Sequence, residues 1–285
     1  MKIGFIGIGV MGESMASHLM NAGHELYIYN RTKSKAENLM VKGAHWCDSV
    51  EAVAQSAQLI FTIIGMPTDV ENVYLGEKGL VDSSKSGTIL VDMTTSSPEL
   101  AKKIHEAGTA KRLKIVDAPV TGGDIGAKNG TLTIFVGGDK AIYEEILPVL
   151  ELMGKTIVHT GGAGTGQHAK MANQIAIAGS IVGMSESLAY AKNAGLDLEV
   201  MLKAIGSGSG NSWQFSNMGP RIVSGDYAPG FYIKHFMKDM RIALSEAKDM
   251  GIELPALDLV LNLYQNAEIP QLEEMGTQAL YKVYE

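Results

Sequence analysis

The fold is decided by the stretch Lys2-Ile-Gly-Phe-Ile-Gly-Ile-Gly-Val-Met-Gly-Glu-Ser-Met-Ala-Ser-His-Leu-Met20, in which an apolar run leads through spaced glycines into a helical pattern. The residues before Gly7 suit a buried parallel strand, and apolar residues recur at helical spacing after Gly12. Glycines at such a strand-to-helix junction are typical of a dinucleotide-binding turn. Gly7 permits the tight turn, Gly9 lets the backbone approach a pyrophosphate, and Gly12 lets helix and strand pack. The alternative is a glycine-rich packing turn without a ligand.

A second predicted strand, Glu25–Asn30, ends where dinucleotide sites distinguish the two nicotinamide cofactors. A site for NAD usually carries an acidic residue there, which accepts from the ribose 2′-OH. Asn30 is neutral, and Arg31 can pair with a 2′-phosphate, so we expect NADP(H) to be preferred while NAD(H) remains possible. Alternatively, Arg31 belongs to the solvated first turn of the next helix. The cofactor contacts predicted from these two turns are Gly7, Gly9, Val10, Met11, Gly12, Asn30, Arg31 and Thr32.

Composition limits the classes of function. The chain has 285 residues, of which 46% are hydrophobic and 19% are charged, so it can bury a large core and is expected to form two domains. The net charge of −7 argues against nucleic-acid and anionic-membrane partners, which need clustered Lys and Arg. The single cysteine, Cys47, excludes a disulfide framework and fits the cytoplasm. No group of residues has metal-ligand spacing, and no apolar run reaches the length of a membrane span.

The alternation of elements predicts the architecture. Up to about Thr160, short apolar strands alternate with helical segments, which is typical of an α/β doubly wound parallel sheet. Beyond that point the pattern is helical, beginning with one long helix. We therefore expect a dinucleotide-binding domain at 1–162 and an all-helical domain at 163–285. The predicted strands are Lys2–Ile6, Glu25–Asn30, Leu59–Ile64, Thr88–Asp92, Lys114–Asp117, Thr131–Val136 and Thr156–His159. The predicted helices of the second domain are Gln167–Asn193, Asp197–Ile205, Ile233–Met250 and Pro255–Gln265.

Three predicted strands end in segments that could line a ligand site. These segments are Gly65-Met-Pro67, Asp92-Met-Thr-Thr95 and Asp117-Ala-Pro-Val-Thr-Gly-Gly123. In an open α/β sheet, ligands bind in the crevice beyond the carboxyl ends of the strands. We therefore expect the three segments to converge on one site.

Lys170 is the best candidate for proton transfer. It lies in the first turn or so of a nearly uncharged predicted helix, within Gln167-His-Ala-Lys-Met-Ala-Asn-Gln174. Helical spacing places Asn173 and Gln174 on the same face, so an ammonium and two amides are presented together. The helix dipole and partial burial both disfavour the charged form of Lys170, which lowers its pKa and eases proton transfer near neutral pH. The alternative is a surface lysine whose stem packs against the protein.

Two further motifs carry polar groups that could contact ligands. The turn Thr121-Gly-Gly123 offers a hydroxyl and unhindered backbone N–H groups, which suit a carboxylate, although the glycines could serve only a chain reversal. Lys238-Asp239 follows an apolar helical pattern and could close over the cofactor. An exposed pair of neighbouring charges is the alternative reading of that motif.

Taken together, four motifs resemble the β-hydroxyacid dehydrogenases, and the resemblance spans almost the whole chain. The motifs are Phe5-Ile-Gly-Ile-Gly-Val-Met-Gly12, Asp117-Ala-Pro-Val-Thr-Gly-Gly123, Gly164-Thr-Gly-Gln-His-Ala-Lys-Met-Ala-Asn-Gln174 and Lys238-Asp239. The resemblance implies a Rossmann domain, a long interdomain helix, and an all-α domain that dimerises. It implies catalysis by Lys170, a carboxylate-binding turn and an amide pair for the substrate, and further cofactor contacts. The substrate residues are Thr121, Gly122, Gly123, Asn173 and Gln174. The further cofactor contacts are Met66, Pro67, Thr95 and Lys238.

The sequence departs from the family pattern at two substrate-side positions. The turn often begins with Ser and here has Thr121, while the second amide, commonly Asn, is Gln174. Both positions bear on which substrate is chosen rather than on the reaction. The sequence thus predicts an NADP-preferring oxidoreductase that interconverts a small, carboxylate-bearing β-hydroxyacid and its semialdehyde or ketoacid, as tartronate semialdehyde, succinic semialdehyde or glyoxylate reductases do. An NAD-dependent 3-hydroxyisobutyrate dehydrogenase and a catalytically silent NADP-binding assembly module are the alternatives.

The predicted long helix also bears on assembly. It is rich in Ala, Ile, Gly and Met and has few charges before Glu186, so most of its circumference must be covered by protein. We therefore expect a homodimer or homotetramer formed through the carboxyl-terminal half.

Overall fold

A nine-stranded sheet organises the amino-terminal part of the structure, a computed structural model that describes residues 1–285. The strands are β1 (Lys2–Ile6), β2 (Glu25–Tyr29), β3 (His45–Trp46), β4 (Leu59–Thr62), β5 (Ile89–Asp92), β6 (Lys114–Asp117), β7 (Val120–Thr121), β8 (Leu132–Gly138) and β9 (Gly154–Gly161). Their order is β3-β2-β1-β4-β5-β6-β8-β7, and β9 pairs with β8. The order reverses beside β1, and in open α/β sheets ligands bind beyond the carboxyl ends of the strands at such a reversal, here β1 and β4. The predicted doubly wound sheet is confirmed.

Helices cover both faces of this sheet. They are α1 (Gly12–Asn21), α2 (Glu37–Val41), α3 (Val50–Ser56), α4 (Pro67–Leu75), α5 (Leu80–Ser83), α6 (Pro98–Ala110), α7 (Gly123–Asn129) and α8 (Lys140–Leu150). Successive strand residues alternate between two apolar clusters, as Phe5 and Phe61 contribute to one while Ile6 and Ile60 contribute to the other. Burial on both faces explains why the parallel strands read as continuous apolar runs.

The sheet departs from the predicted pattern at one edge. β8 runs antiparallel to both β6 and β7, whereas the remaining strand pairs are parallel. All seven predicted strands are present with ends that differ by at most two residues from the prediction, but β3 and β7 were not predicted. Each of these strands has only two residues, which is too short to produce a recognisable alternation.

Only helices follow β9. They are α9 (Thr165–Asn193), α10 (Leu198–Gly206), α11 (Trp213–Val223), α12 (Ile233–Asp249) and α13 (Pro255–Gln265), and two short 3₁₀ segments follow at Leu272–Glu274 and Thr277–Tyr284. Contacts divide the chain into the units 1–170 and 171–285, so the boundary falls inside α9. The all-helical expectation is confirmed, but α11 was missed because Gly219 and Pro220 interrupt its pattern. No helix is at once long enough and apolar enough to cross a membrane.

Candidate functional site

The glycine turn after β1 is shaped by three different demands. Gly7 has a φ of +101°, and a Cβ there would lie 2.1 Å from the carbonyl oxygen of Ile63. A Cβ on Gly12 would lie 1.9 Å from the carbonyl oxygen of Gly7, so helix and turn touch directly. A Cβ on Gly9 would meet no protein atom within 4 Å. The protein itself therefore requires the first and third glycines, and the open space at Gly9 fits the pyrophosphate of a dinucleotide.

The first turn of α1 is also suited to phosphate. Its N-cap, Met11, makes no side-chain capping hydrogen bond, whereas Ser49, Ser97 and Asp139 cap α3, α6 and α8. The N–H of Glu13 already donates to the carbonyl oxygen of Gly9 at 3.1 Å, so the N–H groups that precede it are the ones α1 can offer to an anion. This observation supports the predicted place of the dinucleotide.

The carboxamide of Asn30 ties the end of β2 to the glycine turn. Its Oδ1 accepts from the backbone N–H of Ile8 at 3.0 Å, and its Nδ2 donates to the carbonyl oxygen of Thr32 at 2.8 Å. A carboxylate could make the first of these bonds but not the second, since it has no N–H group. Asn30 therefore holds the turn in place besides removing the negative charge.

The side chain of Arg31 points into solvent and lies near an acidic residue, Asp69, that is not among the predicted contacts. Its side chain is 88% exposed, and its Nη1 lies 3.7 Å from Oδ1 of Asp69. The other oxygen of Asp69 accepts from the backbone N–H of Met66 at 3.1 Å, at the start of α4. Exposed ion pairs of this kind contribute little free energy, so Arg31 can exchange Asp69 for a phosphate.

The strand-end segments predicted to converge do come together. The backbone N–H of Ile64 donates to Oγ1 of Thr94 at 3.0 Å, which joins the loop after β4 to the loop after β5. The backbone N–H of Ala118 donates to the carbonyl oxygen of Asp92 at 2.7 Å, which joins β5 to the segment after β6. Asp92 Oδ1 also accepts from the backbone N–H of Thr94 at 3.0 Å. These bonds fix the loop that carries Thr95.

The buried carboxylate of Asp117 holds the start of α9. Its Oδ1 accepts from the N–H of Gly164 at 2.8 Å, and its Oδ2 accepts from the N–H of Gln167 at 2.9 Å. Burial raises the pKa of Asp117 to about 6, against the lowering effect of these backbone hydrogen bonds. With this support α9 begins at Thr165, two residues earlier than predicted. Lys170 consequently lies in the second turn, where the helix dipole acts less strongly than we expected.

The surroundings of Lys170 distinguish the two readings of this residue. It is 5% exposed, so the interpretation as a surface lysine is wrong. The first turn of α9 is fixed by Gln167, whose Oε1 accepts from the N–H of Ser96 at 2.9 Å and whose Nε2 donates to the carbonyl oxygen of Thr94 at 2.8 Å. Lys170 is therefore a buried amine on a rigid helical turn.

The Thr121 turn joins β7 to α7. Gly122 and Gly123 have φ values of +130° and +63°, which favour glycine at both positions. The first hydrogen bond of α7 runs from the N–H of Gly126 to the carbonyl oxygen of Gly122 at 2.9 Å. The N–H groups of Gly122 and Gly123 therefore have no acceptor within α7. The turn does reverse the chain, and its two glycine N–H groups make no hydrogen bond within α7.

The motif Lys238-Asp239 lies on α12 in the helical unit. Lys238 is 7% exposed and Asp239 is 0% exposed, so the interpretation as an exposed charge pair is wrong. Lys238 Nζ lies 2.9 Å from Asp239 Oδ1, an ion contact without the direction of a good hydrogen bond. Asp239 Oδ2 accepts from Nε2 of Gln174 at 2.6 Å, so the predicted substrate amides and this motif meet within the helical unit.

The structure gives supporting roles to five residues that were not predicted to have them: Asp69, Asp92, Asp117, Gln167 and Asp239. Asp92 and Asp117 each end an apolar strand, so their positions were visible in the sequence. Which N–H groups their carboxylates accept from depends on tertiary contacts. The structure contains no group of three or more His, Cys, Asp or Glu side chains placed to hold a metal ion.

Two family models match the chain. The model described as the NAD binding domain of 6-phosphogluconate dehydrogenase matches residues 2–161. The model described as the NAD-binding domain of NADP-dependent 3-hydroxyisobutyrate dehydrogenase matches residues 164–284. Together they span both parts of the chain.

Individual relatives agree with these models. A probable 3-hydroxyisobutyrate dehydrogenase-like protein of Arabidopsis thaliana, described as mitochondrial, is 46% identical over 98% of this chain and 84% of its own length. The 2-hydroxy-3-oxopropionate reductase of Escherichia coli (strain K12) is 36% identical over 100% of this chain and 97% of its own length. The solved structure of Psf3 in complex with NADP+ and 2-OPP superposes with a TM-score of 0.93 at 26% identity, covering 99% of this chain and 100% of that one. The chain belongs to the β-hydroxyacid dehydrogenase family and is an NAD(P)-dependent oxidoreductase.

Proposed function

We propose that this enzyme is an NADP-preferring reductase that interconverts a small β-hydroxyacid and its semialdehyde or ketoacid, working chiefly in the reducing direction. The observation that carries the proposal is Lys170, a buried lysine on a helical turn that Asp117 and Gln167 hold in place. Such an amine can give a proton to a carbonyl oxygen as negative charge develops on it. When bound, the nicotinamide supplies the hydride.

The substrate carboxylate is assigned to the Thr121 turn. The Thr121 hydroxyl and the N–H groups of Gly122 and Gly123 are donors of the kind that bind carboxylates. Asn173 follows Lys170 by three residues on α9, which supports the proposal that its carboxamide holds the substrate beside the amine. Anchoring the carboxylate fixes which face of the carbonyl is presented for reaction.

The preference for NADP(H) is supported by the charges around the second strand. Asn30 removes the usual acidic acceptor, and Arg31 offers an exposed guanidinium to a 2′-phosphate. A solved relative, Psf3, holds NADP+. The remaining predicted contacts are Val10, Met11, Thr32, Met66, Pro67, Thr95 and Lys238.

The cofactor preference gives a first prediction. We expect NADPH to bind more tightly than NADH by about 1–3 kcal/mol, because a charge-assisted pair forms with the phosphate. Arg31→Ala should remove most of this difference in a fluorescence titration. Asp69→Asn should keep or enlarge it, because the amide oxygen can still accept from Met66 N while the competing charge is gone. Equal affinities of the unmutated protein for the two cofactors would rule out the assignment.

Two alternatives make different predictions. An NAD-dependent 3-hydroxyisobutyrate dehydrogenase would oxidise its hydroxyacid with NAD as the better cofactor. The family model that matches 164–284 is named for the same hydroxyacid but for an NADP-dependent enzyme, so it favours the substrate of this alternative and not its cofactor. A silent assembly module would bind NADP without turnover. The retention of a buried Lys170 on a rigid turn argues against the silent module.

The experiment that tests the proposal is a screen of NADPH oxidation. Glyoxylate, succinic semialdehyde, tartronate semialdehyde and methylmalonate semialdehyde are the candidate substrates, and butanal is a matched aldehyde without a carboxylate. We expect turnover with at least one carboxylate-bearing compound and a much higher KM for butanal. The absence of NADPH oxidation with all four acids would contradict the proposal and favour the assembly module.

We also propose that the enzyme works in the cytoplasm, where its buried free cysteine, Cys47, would stay reduced.

We propose further that the enzyme assembles into a dimer or tetramer through its helical part. One face of α9 exposes only small residues over three turns, at Ala172, Ala176, Gly179 and Gly183. No residue of α10 is buried, although its sequence is strongly apolar. A second copy of the chain would cover such surfaces.

Assembly gives a second prediction. Light scattering at micromolar concentration should show a dimer or tetramer. Gly183→Glu should shift the protein towards monomer, because a Cβ at Gly183 meets no neighbouring protein atom within 4 Å and the added charge would therefore disturb only the contact between copies. Ala141→Glu places the same charge on an exposed position of α8 and should leave the mass unchanged. A monomeric unmutated protein would contradict the assignment.

A further inference from the structure

A network of polar side chains, buried at Asp239 and Gln174 and part-buried at Asn173, joins α12 to the substrate-side amides of α9 in the helical unit. Its members are Asp239, Gln174 and Asn173, with Lys238 beside the carboxylate. Asp239 is 0% exposed and Gln174 is 1% exposed. A carboxyl group and an amide are rarely buried this completely unless they are hydrogen-bonded, because the loss of water must be compensated by a partner.

The contacts within this network of polar side chains are short. Asp239 Oδ2 accepts from Gln174 Nε2 at 2.6 Å, and Gln174 Oε1 accepts from Asn173 Nδ2 at 2.8 Å. Asp239 Oδ1 lies 2.9 Å from Lys238 Nζ, so the carboxylate faces a cation on one side and an amide on the other.

A carboxylate without a proton can only accept hydrogen bonds. It therefore decides which group donates and which accepts in each hydrogen bond from Asp239 through Gln174 to Asn173. Gln174 must turn its NH₂ group towards Asp239, and its carbonyl oxygen must then face Asn173. Of the two polar groups of Asn173, only the NH₂ group can donate to that oxygen, so Asn173 must turn its NH₂ group towards Gln174. The orientation of both amides, which is otherwise ambiguous by rotation, follows from one carboxylate.

We propose that Asp239 is a positioning residue of this enzyme: through Gln174 it fixes the carboxamide of Asn173, and so decides which polar atom Asn173 turns towards the substrate. The inference rests on the proposed function, in which Asn173 holds the substrate. It also explains Gln at 174, because Asn is one methylene shorter and would draw the amide away from Asp239. Gln174 thereby acts on the substrate through Asn173.

The test compares Gln174→Met, Asp239→Asn and the double variant. Met has nearly the length of Gln without its polar atoms, and it leaves Lys238 paired with Asp239. We expect Gln174→Met to raise the substrate KM about tenfold or more, with a smaller change in kcat and an unchanged dissociation constant for NADPH. Calorimetric titration of the hydroxyacid product onto the NADP-loaded protein should show the same loss of affinity.

The double variant separates positioning from a general structural effect. If both residues act through one contact, the double variant binds the hydroxyacid no more weakly than the worse single variant. Ser185→Ala is the matched control, because Ser185 is a buried residue of α9 whose hydroxyl makes no hydrogen bond, and it should bind the hydroxyacid normally. If Asp239→Asn does not fold, Gln174→Met alone decides the question.

The outcomes are distinguishable. An unmutated enzyme that turns over one of the acids, with unchanged KM and hydroxyacid affinity in Gln174→Met, would overturn this inference and leave the proposed function standing. Fully additive losses in the double variant would also overturn it. An unmutated protein that reduces none of the acids would remove the proposed function instead.

Discussion

Lys170→Ala is expected to lower kcat by at least about a hundredfold, the low end of what general acid catalysis contributes. The buried amine is the group placed to meet the charge that develops on the carbonyl oxygen. NADPH binding should remain nearly unchanged, because the glycine turn, Asn30 and Arg31 are untouched. Steady-state rates on the best acid from the screen and a cofactor titration measure the two effects.

Lys170→Arg is the matched variant for charge. It keeps a cation at the same position, but a guanidinium does not release its proton at working pH. We expect it to restore little activity, which separates proton donation from simple charge stabilisation. A variant with nearly normal kcat would show that Lys170 contributes a charge rather than a proton.

Gly9→Ala is expected to weaken NADPH binding without destabilising the protein. A Cβ at Gly9 meets no protein atom within 4 Å, so the free energy of unfolding without cofactor should stay the same. The methyl group would occupy space assigned to the pyrophosphate, and overpacking of this kind costs about 1–3 kcal/mol, which corresponds to roughly a five- to 160-fold rise in Kd. Fluorescence titration and thermal unfolding measure the two quantities.

Two other glycines provide the controls. Gly12→Ala should lose both stability and NADPH affinity, because its Cβ would lie 1.9 Å from the carbonyl oxygen of Gly7. Gly206→Ala, at the end of α10, has open space around its Cβ and should change neither quantity. If Gly9→Ala bound NADPH normally, the dinucleotide would lie elsewhere.

The sheet and the glycine turn could be predicted because their signals are local. A buried parallel strand reads as a continuous apolar run, and the spaced glycines of the turn after β1 all fall between Gly7 and Gly12. The carbonyl oxygen that makes Gly7 necessary nevertheless belongs to the distant Ile63. The strands β3 and β7 escaped prediction because their pairing is decided by neighbouring strands, not by their own two residues. Helix α11 was not predicted for a related reason. Pro220 inside it disfavours a helix locally, and tertiary packing stabilises the helix nevertheless.

The supports of the site could not be predicted because they join residues far apart in the chain. Asp117 reaches the start of α9, and Asp239 reaches Gln174, across separations of about fifty and sixty-five residues. The burial of Lys238 and Asp239 likewise depends on what packs against α12. A sequence shows that such residues can bond, but only the fold shows which partner is within reach.

The most direct test of the central claim is single-turnover reduction of the best acid substrate, with NADPH that is protiated or deuterated at the transferred position. The rate of cofactor oxidation would be compared between the unmutated enzyme and Lys170→Ala. We predict that Lys170→Ala is at least about a hundredfold slower and shows a primary isotope effect, so that the loss lies in the chemical step. A variant that keeps more than about a tenth of the unmutated rate, with an isotope effect showing that chemistry limits both, would contradict the role of Lys170 as the proton donor.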